Sequence, residues 1–213
     1  MHQRSDPHAD ASVLHAGAPV AGARLVVILL HGRGASAEDI LGLSREVRAA
    51  DVAFLAPQAA GHTWYPQTFL APIQENEPSL TSALRLIATS IDDLANHGVP
   101  AERVALMGFS QGACLSLEFV ARHARRYAAV AALSGGLIGP PGTPRDYSGS
   151  LDGTPVFIGC SDVDAHIPLE RVHESTTVLR RLGAAVDERI YPGMGHTITR
   201  DELDAVNALL AGR

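Results

Sequence analysis

The segment from Val104 to Phe119 constrains the fold more than any other part of this chain. Four apolar residues of buried-strand length, Val104–Met107, run into Gly108-Phe109-Ser110-Gln111-Gly112. A helical pattern follows over Ala113–His123, with Leu117 and Val120 three apart and Cys114 four from Ser110. A strand that turns into a helix this abruptly leaves no room for a Cβ at Gly108 or Gly112. The turn lifts Ser110 Oγ above the sheet, at a helix N-terminus whose dipole favours negative charge. A serine held this way is placed to attack a carbonyl. Gly-x-Ser-x-Gly alone is a weak signal, and a glycine-rich phosphate cradle is the competing reading. The flanking strand and helix favour the nucleophile.

The remaining elements agree with that turn. A continuous apolar strand is expected at Leu25–Leu30, and further strands at Val52–Ala56, Ala128–Leu133, Pro155–Gly159 and Ala185–Tyr191. Helices are expected at Glu38–Ala50, at Ser79–His97 with Ser79 as N-cap, at Leu169–Leu182 and at Arg200–Leu210. Apolar strands alternating with helices describe an α/β fold: a mostly parallel twisted sheet with helices on both faces. Sites in such sheets lie beyond the carboxyl ends of the strands. Residues 1–11 read as a flexible tail and residues 12–213 as one domain, without repeats or an internal linker. The stretch from Gln58 to Pro78 has neither helical nor strand periodicity. It reads as a loop folded over the site, a minimal lid rather than a lid domain.

A serine hydroxyl needs a base, and the base needs a carboxylate to fix its tautomer. Histidine titrates near neutrality and suits the first task. His196 stands in the loop Gly193–Thr197 after the strand ending at Tyr191. Asp164 and Asp162 both follow the strand Val156–Ile158. Asp164 is favoured because Asp164–Pro168 leads into the next helix, with Pro168 suited to a first turn. Asp162 is the alternative, otherwise a turn-forming carboxylate. The order Ser, Asp, His is that of α/β-hydrolases. Oxyanion donors are expected from the N–H of Gln111 and that of Arg33, the latter in the glycine-rich run His31-Gly32-Arg33-Gly34. The Arg33 side chain is expected either to lie in solvent or to attract anionic esters. His31 reads as a structural hydrogen-bonding residue. Trp64, Phe69, Leu70 and Ile73 from the loop, with His166 and Ile167, are the expected substrate-binding residues.

Composition narrows the classes. A chain of 213 residues with 46% hydrophobic and 19% charged residues can build a sizeable core. The net charge of −6, with no basic block, argues against nucleic acid as a partner. The longest apolar run is too short to span a bilayer, and the N-terminus lacks the apolar stretch of a signal peptide. A cytoplasmic protein without stable membrane association is expected. Cys114 and Cys160 read as buried thiols, not a disulfide framework. No metal-ligand spacing is present, so neither metal nor cofactor is expected. The oligomeric state is left open, a homodimer included.

With these residues in hand the chain resembles the phospholipase/carboxylesterase family of α/β-hydrolases, which includes bacterial carboxylesterases and acyl-protein thioesterases. The resemblance runs from about Leu25 to Leu210. It rests on Leu30-His31-Gly32-Arg33-Gly34, Gly108–Ala113, Leu133-Ser134-Gly135-Gly136, Asp164–Pro168 and Gly195-His196. It implies Ser110, Asp164 and His196 as a triad, Arg33 and Gln111 as oxyanion positions, and cleavage of carboxylic esters. The acyl-protein thioesterases carry Leu-Gly after the His-Gly, where this chain has Arg33-Gly34, and Gly61–Pro78 also departs from theirs. The expected activity is therefore a serine carboxylesterase for a small-molecule ester of short to medium acyl length. An acyl-protein thioesterase or lysophospholipase is the alternative. A non-catalytic small-ligand receptor on the same scaffold is the alternative of another class.

Overall fold

The structure, a computed structural model, describes residues 6–211. Residues 1–5 of the expected tail, His2 among them, lie outside the described residues. Seven strands form one sheet: β1 Val13–Gly17, β2 Leu25–Leu30, β3 Val52–Pro57, β4 Val104–Phe109, β5 Ala129–Leu133, β6 Pro155–Ser161 and β7 Ala185–Tyr191. Their order is β1-β3-β2-β4-β5-β6-β7. All neighbours are parallel except β1, which runs antiparallel to β3. Helices α1 Ala37–Leu41, α2 Ser79–Asn96, α3 Gln111–Arg122, α4 Leu169–Arg181 and α5 Arg200–Ala211 cover its two faces.

The division of the core follows from strand geometry. Successive side chains point to opposite faces. In β2, Val26, Ile28 and Leu30 pack with Leu80 and Ile87 of α2, Leu115 of α3 and Val172 of α4. Leu25, Val27 and Leu29 pack with Ile40 of α1 and Val206 of α5. A strand buried on both faces has to be apolar throughout, and all six residues of β2 are buried.

Three elements differ from expectation. The helix expected over Glu38–Ala50 is one turn of α1, capped by Ser36 and Asp39 in a reciprocal box, followed by a 3₁₀ turn at Gly42–Arg45. Ser79 is already helical; the cap position is Pro78, and the Glu77 carboxylate accepts the Thr81 N–H instead. β1 is an additional strand, half-buried at the sheet edge. The described part of the expected tail, residues 6–11, is a turn packed on α2, with His8 buried.

Candidate active site

Each candidate catalytic side chain stands past a strand end, and local sequence explains why. Ser110 follows β4 with φ 56° and ψ −117°, a strained conformation for a non-glycine residue. The surroundings hold it there. Its N–H donates to the Leu133 carbonyl at 2.9 Å. A Cβ on Gly112 would run into the Leu30 carbonyl, and one on Gly108 into the backbone of Gly112. β4 and α3 therefore meet at a distance only glycine permits.

Asp164 follows β6 and its side chain is wholly buried. Oδ1 accepts the N–H groups of His166 at 2.8 Å and Ile167 at 3.1 Å. Oδ2 accepts His196 Nδ1–H at 2.7 Å and faces the Cys160 thiol at 3.8 Å. Burial pushes its carboxyl up, but the His196 bond and the two backbone donors outweigh that and hold it below the usual carboxylate range. The carboxylate accepts only, so His196 carries its proton on Nδ1 and presents a bare Nε2. That nitrogen lies 2.8 Å from Ser110 Oγ. The hydroxyl donates to the imidazole and the imidazole to the carboxylate.

Asp162, the alternative carboxylate, does not reach the imidazole. It accepts the Gly193 N–H at 2.7 Å, and Ser161 Oγ donates to the Met194 carbonyl. Together they fasten the aspartate loop to the histidine loop. Beyond His196 the chain enters α5 through a capping box: Thr199 N–H donates to Glu202 Oε2 at 2.7 Å, and Glu202 N–H to Thr199 Oγ1 at 3.2 Å. Phe109 packs against the His196 ring at 4.9 Å between centroids, and His166 meets it edge-on at 4.8 Å.

Ser110 and His196 open into a cavity of about 350 Å³. Gly32, Arg33, Gln111, Tyr65, Phe69, Phe109, Cys114, His166 and Ile167 contribute to its lining. Gln111, as the first residue of α3, has an N–H without an intrahelical acceptor. Arg33 stands between Gly32 and Gly34, the latter with φ 78°. Of the expected substrate-binding residues, Phe69, His166 and Ile167 line the cavity and Trp64, Leu70 and Ile73 do not. Trp64 is fully buried behind the wall and donates through Nε1 to the His31 carbonyl at 2.8 Å. Leu70 and Ile73 pack partly buried against the core. Tyr65, in the loop expected to fold over the site, and Cys114, expected only as a buried thiol, also line the cavity. Burial pushes the Cys114 thiol up to about 12 and the Tyr65 phenol well above its ordinary value, so both are neutral wall.

The wall is fastened to the elements that carry the reactive groups. The Gln111 side chain accepts Trp64 N–H at 2.8 Å and donates to the Tyr65 carbonyl at 2.9 Å. The Arg33 guanidinium donates to the carbonyls of Pro66, at 2.8 Å, and Gln67. The Arg33 side chain is exposed, one of the two expectations for it, and it also ties loop to loop. His31 is structural, as expected; its Nδ1–H donates to Gly32 O at 2.8 Å and its Nε2 accepts Ala59 N–H at 3.1 Å.

The model of the phospholipase/carboxylesterase family matches residues 12–212. The chain belongs to that family. Its fold superposes on the crystal structure of a phospholipase/carboxylesterase from Dyadobacter fermentans with a TM-score of 0.91, at 42% identity over 99% of this chain and 98% of the other. A probable carboxylesterase of Arabidopsis thaliana, SOBER1-like, is 26% identical over 90% of this chain and 79% of its own length. An acyl-protein thioesterase 1 of Gibberella zeae is 35% identical over 59% of this chain, a match spanning about half of the thioesterase (52%). Within this hydrolase family, the Ser110–His196–Asp164 chain sits where the sheet's carboxyl ends meet the wall loop.

Proposed function

We propose that this family member is a serine carboxylesterase acting on short to medium acyl esters through an acyl-enzyme. The observation that carries the reading is the unbroken hydrogen-bonded chain from Ser110 Oγ through His196 to Asp164, opening into a largely apolar cavity. Ser110 Oγ attacks the ester carbonyl carbon and its proton passes to His196 Nε2. Asp164 stabilises the imidazolium and keeps the ring oriented. The N–H groups of Arg33 and Gln111 receive the developing oxyanion. Collapse expels the alcohol, which takes the proton from Nε2. Water, deprotonated by the same nitrogen, then attacks the acyl-enzyme and releases the acid. No cofactor takes part in these steps.

The cavity volume supports the substrate size. About 350 Å³ is near the low end of small-molecule sites, which run from roughly 300 to 1,000 Å³. The fungal thioesterase similarity favours a second reading, hydrolysis of acyl thioesters by the same groups. Among the described residues no helix is long and apolar enough to cross a membrane. A cytoplasmic location belongs to the proposal and is supported by the two free, buried cysteines.

One experiment separates these readings. A fluorophosphonate probe should label Ser110, and kcat/KM should be measured on p-nitrophenyl esters from acetate to palmitate beside a palmitoyl-peptide thioester. A maximum between butyrate and octanoate is expected. A maximum at palmitate, or a thioester preferred over every ester, would replace the reading by the thioesterase one. An unlabelled serine and no turnover would leave a binding protein on a hydrolase scaffold.

A further inference from the structure

Tyr65 lines the cavity, and the residue beside it, Trp64, is held from the far side by a part of the chain outside the sheet. Residues 6–10 form a turn laid on α2. The Asp6 carboxylate accepts Ser82 Oγ–H and pairs with Arg85 at 2.6 Å, and His8 N–H donates to Ser82 Oγ at 2.9 Å. The His8 ring is buried and reaches the wall loop with both nitrogens. Ala60 N–H donates to Nδ1 at 3.1 Å. The ring proton therefore sits on Nε2, which donates to the Trp64 carbonyl at 3.1 Å. The ring also packs against the indole, with centroids 5.6 Å apart. One side chain thus bridges the loop at Ala60 and Trp64, four residues apart, and fixes both peptides. Three further fastenings of this loop, from His31, Arg33 and Gln111, come from the strand and helix ends that carry the site, and Gly139 N–H donates to the Phe69 carbonyl at 2.7 Å.

We propose that the turn at residues 6–10 is a strap, and that His8 is a positioning residue setting the depth of the acyl pocket by holding the Ala60–Tyr65 wall from behind. This rests on the reading of the cavity as an acyl pocket. Removing the ring leaves space behind Trp64 into which the wall can retreat, deepening the cavity on its Tyr65 and Phe69 side. Among the described residues, the bonds of Ser110, His196 and Asp164 run to one another and to backbone outside this loop, and they stay in place.

The test uses the whole chain and two readouts. The chain has one tryptophan, so its emission reports on this loop alone. In His8→Ala, acrylamide quenching of Trp64 should rise. The octanoate-to-acetate ratio of kcat/KM should rise about tenfold, the discrimination of a single methylene in an apolar pocket. The change should lie in KM for octanoate, with acetate turnover altered less than about twofold on the same scale. His8→Gln, which keeps a donor and an acceptor, should fall between parent and His8→Ala. Should His8→Ala fail to fold, the double variant Asp6→Ala/Arg85→Ala loosens the strap at α2 without touching the ring, and should move both readouts the same way. An active parent whose chain-length profile is unchanged in these variants, with or without new quenching, would overturn the strap. So would equal losses on acetate and octanoate. A parent inert to every ester and to fluorophosphonate would instead overturn the esterase reading and the acyl part of this one; unaltered Trp64 quenching would then remove the rest.

Discussion

Two aspartates two residues apart do different work in this site, and the difference is one of direction. The Asp164 side chain is buried and spends Oδ2 on the His196 ring; Asp162 is exposed and holds the Gly193 N–H. Asp164→Asn presents an amide that can donate where only an acceptor fits, which favours the wrong tautomer of His196. The expected loss in kcat is about 10⁴-fold. Asp162→Asn keeps an acceptor for Gly193 and should lose less than about tenfold. Ser110→Ala and His196→Ala should each remove nearly all turnover, and the double variant little more, because the groups act as a unit. Steady-state rates on one ester, with circular dichroism as a fold check, decide this; normal turnover by Asp164→Asn would refute the assignment. A second prediction concerns Arg33. Both terminal nitrogens of its guanidinium already donate to wall-loop carbonyls, which assigns it the part of a tie. In Arg33→Ala the ratio of kcat/KM for an anionic ester over its neutral analogue should stay within about twofold of the parent's, whereas a bidentate carboxylate partner would be worth far more. A large fall in that ratio would show that the side chain serves substrate after all.

At the scale of elements, α1 offers the plainest test. Gly42 follows it with φ −54° and ψ −31°, a helical conformation in which nothing lies within reach of an added Cβ. Gly42→Ala should stabilise the protein by about 0.5–1 kcal/mol, through the lower entropy of the unfolded chain. Thermal unfolding measures it, and a lowered Tm would contradict it. The same glycine explains a misreading. The apolar pattern after Glu38 suggested a long helix, but Gly42 costs a helix about 1 kcal/mol relative to Ala, and the chain tightens to a 3₁₀ turn there. β2 and β4 were legible because strands buried on both faces are apolar without interruption. β1 was not, because an edge strand of five residues, Val-Leu-His-Ala-Gly, three half-buried and two exposed, has no such run. Ser110, Asp164 and His196 could be read because each follows a recognisable strand in a fixed order. The wall could not: residues 58–78 have no period, so nothing in the sequence distinguishes Tyr65, facing the cavity, from Trp64, facing away. His8 carried no signal at all, since its ring bonds to backbone groups more than fifty residues distant.

For the whole molecule, the buried histidines set how the fold responds to acid. Burial lowers the affinity of His8 and of His31 for a second proton. The unfolded chain takes that proton up at about pH 6.5. Below that pH the unfolded state binds more protons than the folded one, so stability is complete above it and is lost as pH falls through the lowered folded values. The depressed carboxyl of Asp164 acts in the same direction at lower pH. Urea midpoints should fall from pH 7.5 to pH 5, and His8→Gln should reduce the difference; equal midpoints at both pH values would refute this. The sheet that lifts the serine also has to end, and it ends at β7. Among the described residues that strand pairs with β6 alone, and a bare strand edge is a template for another chain. Here the border carries Asp187, Glu188 and Arg189, with Arg189 bonded to both Asp187 and Asp201 at 3.0 Å. A second molecule approaching to extend the sheet would have to break those ion pairs and strip water from the charges. The expected consequence at this border is protection against edge-to-edge pairing through β7, and replacing Asp187 and Arg189 by valine should remove it.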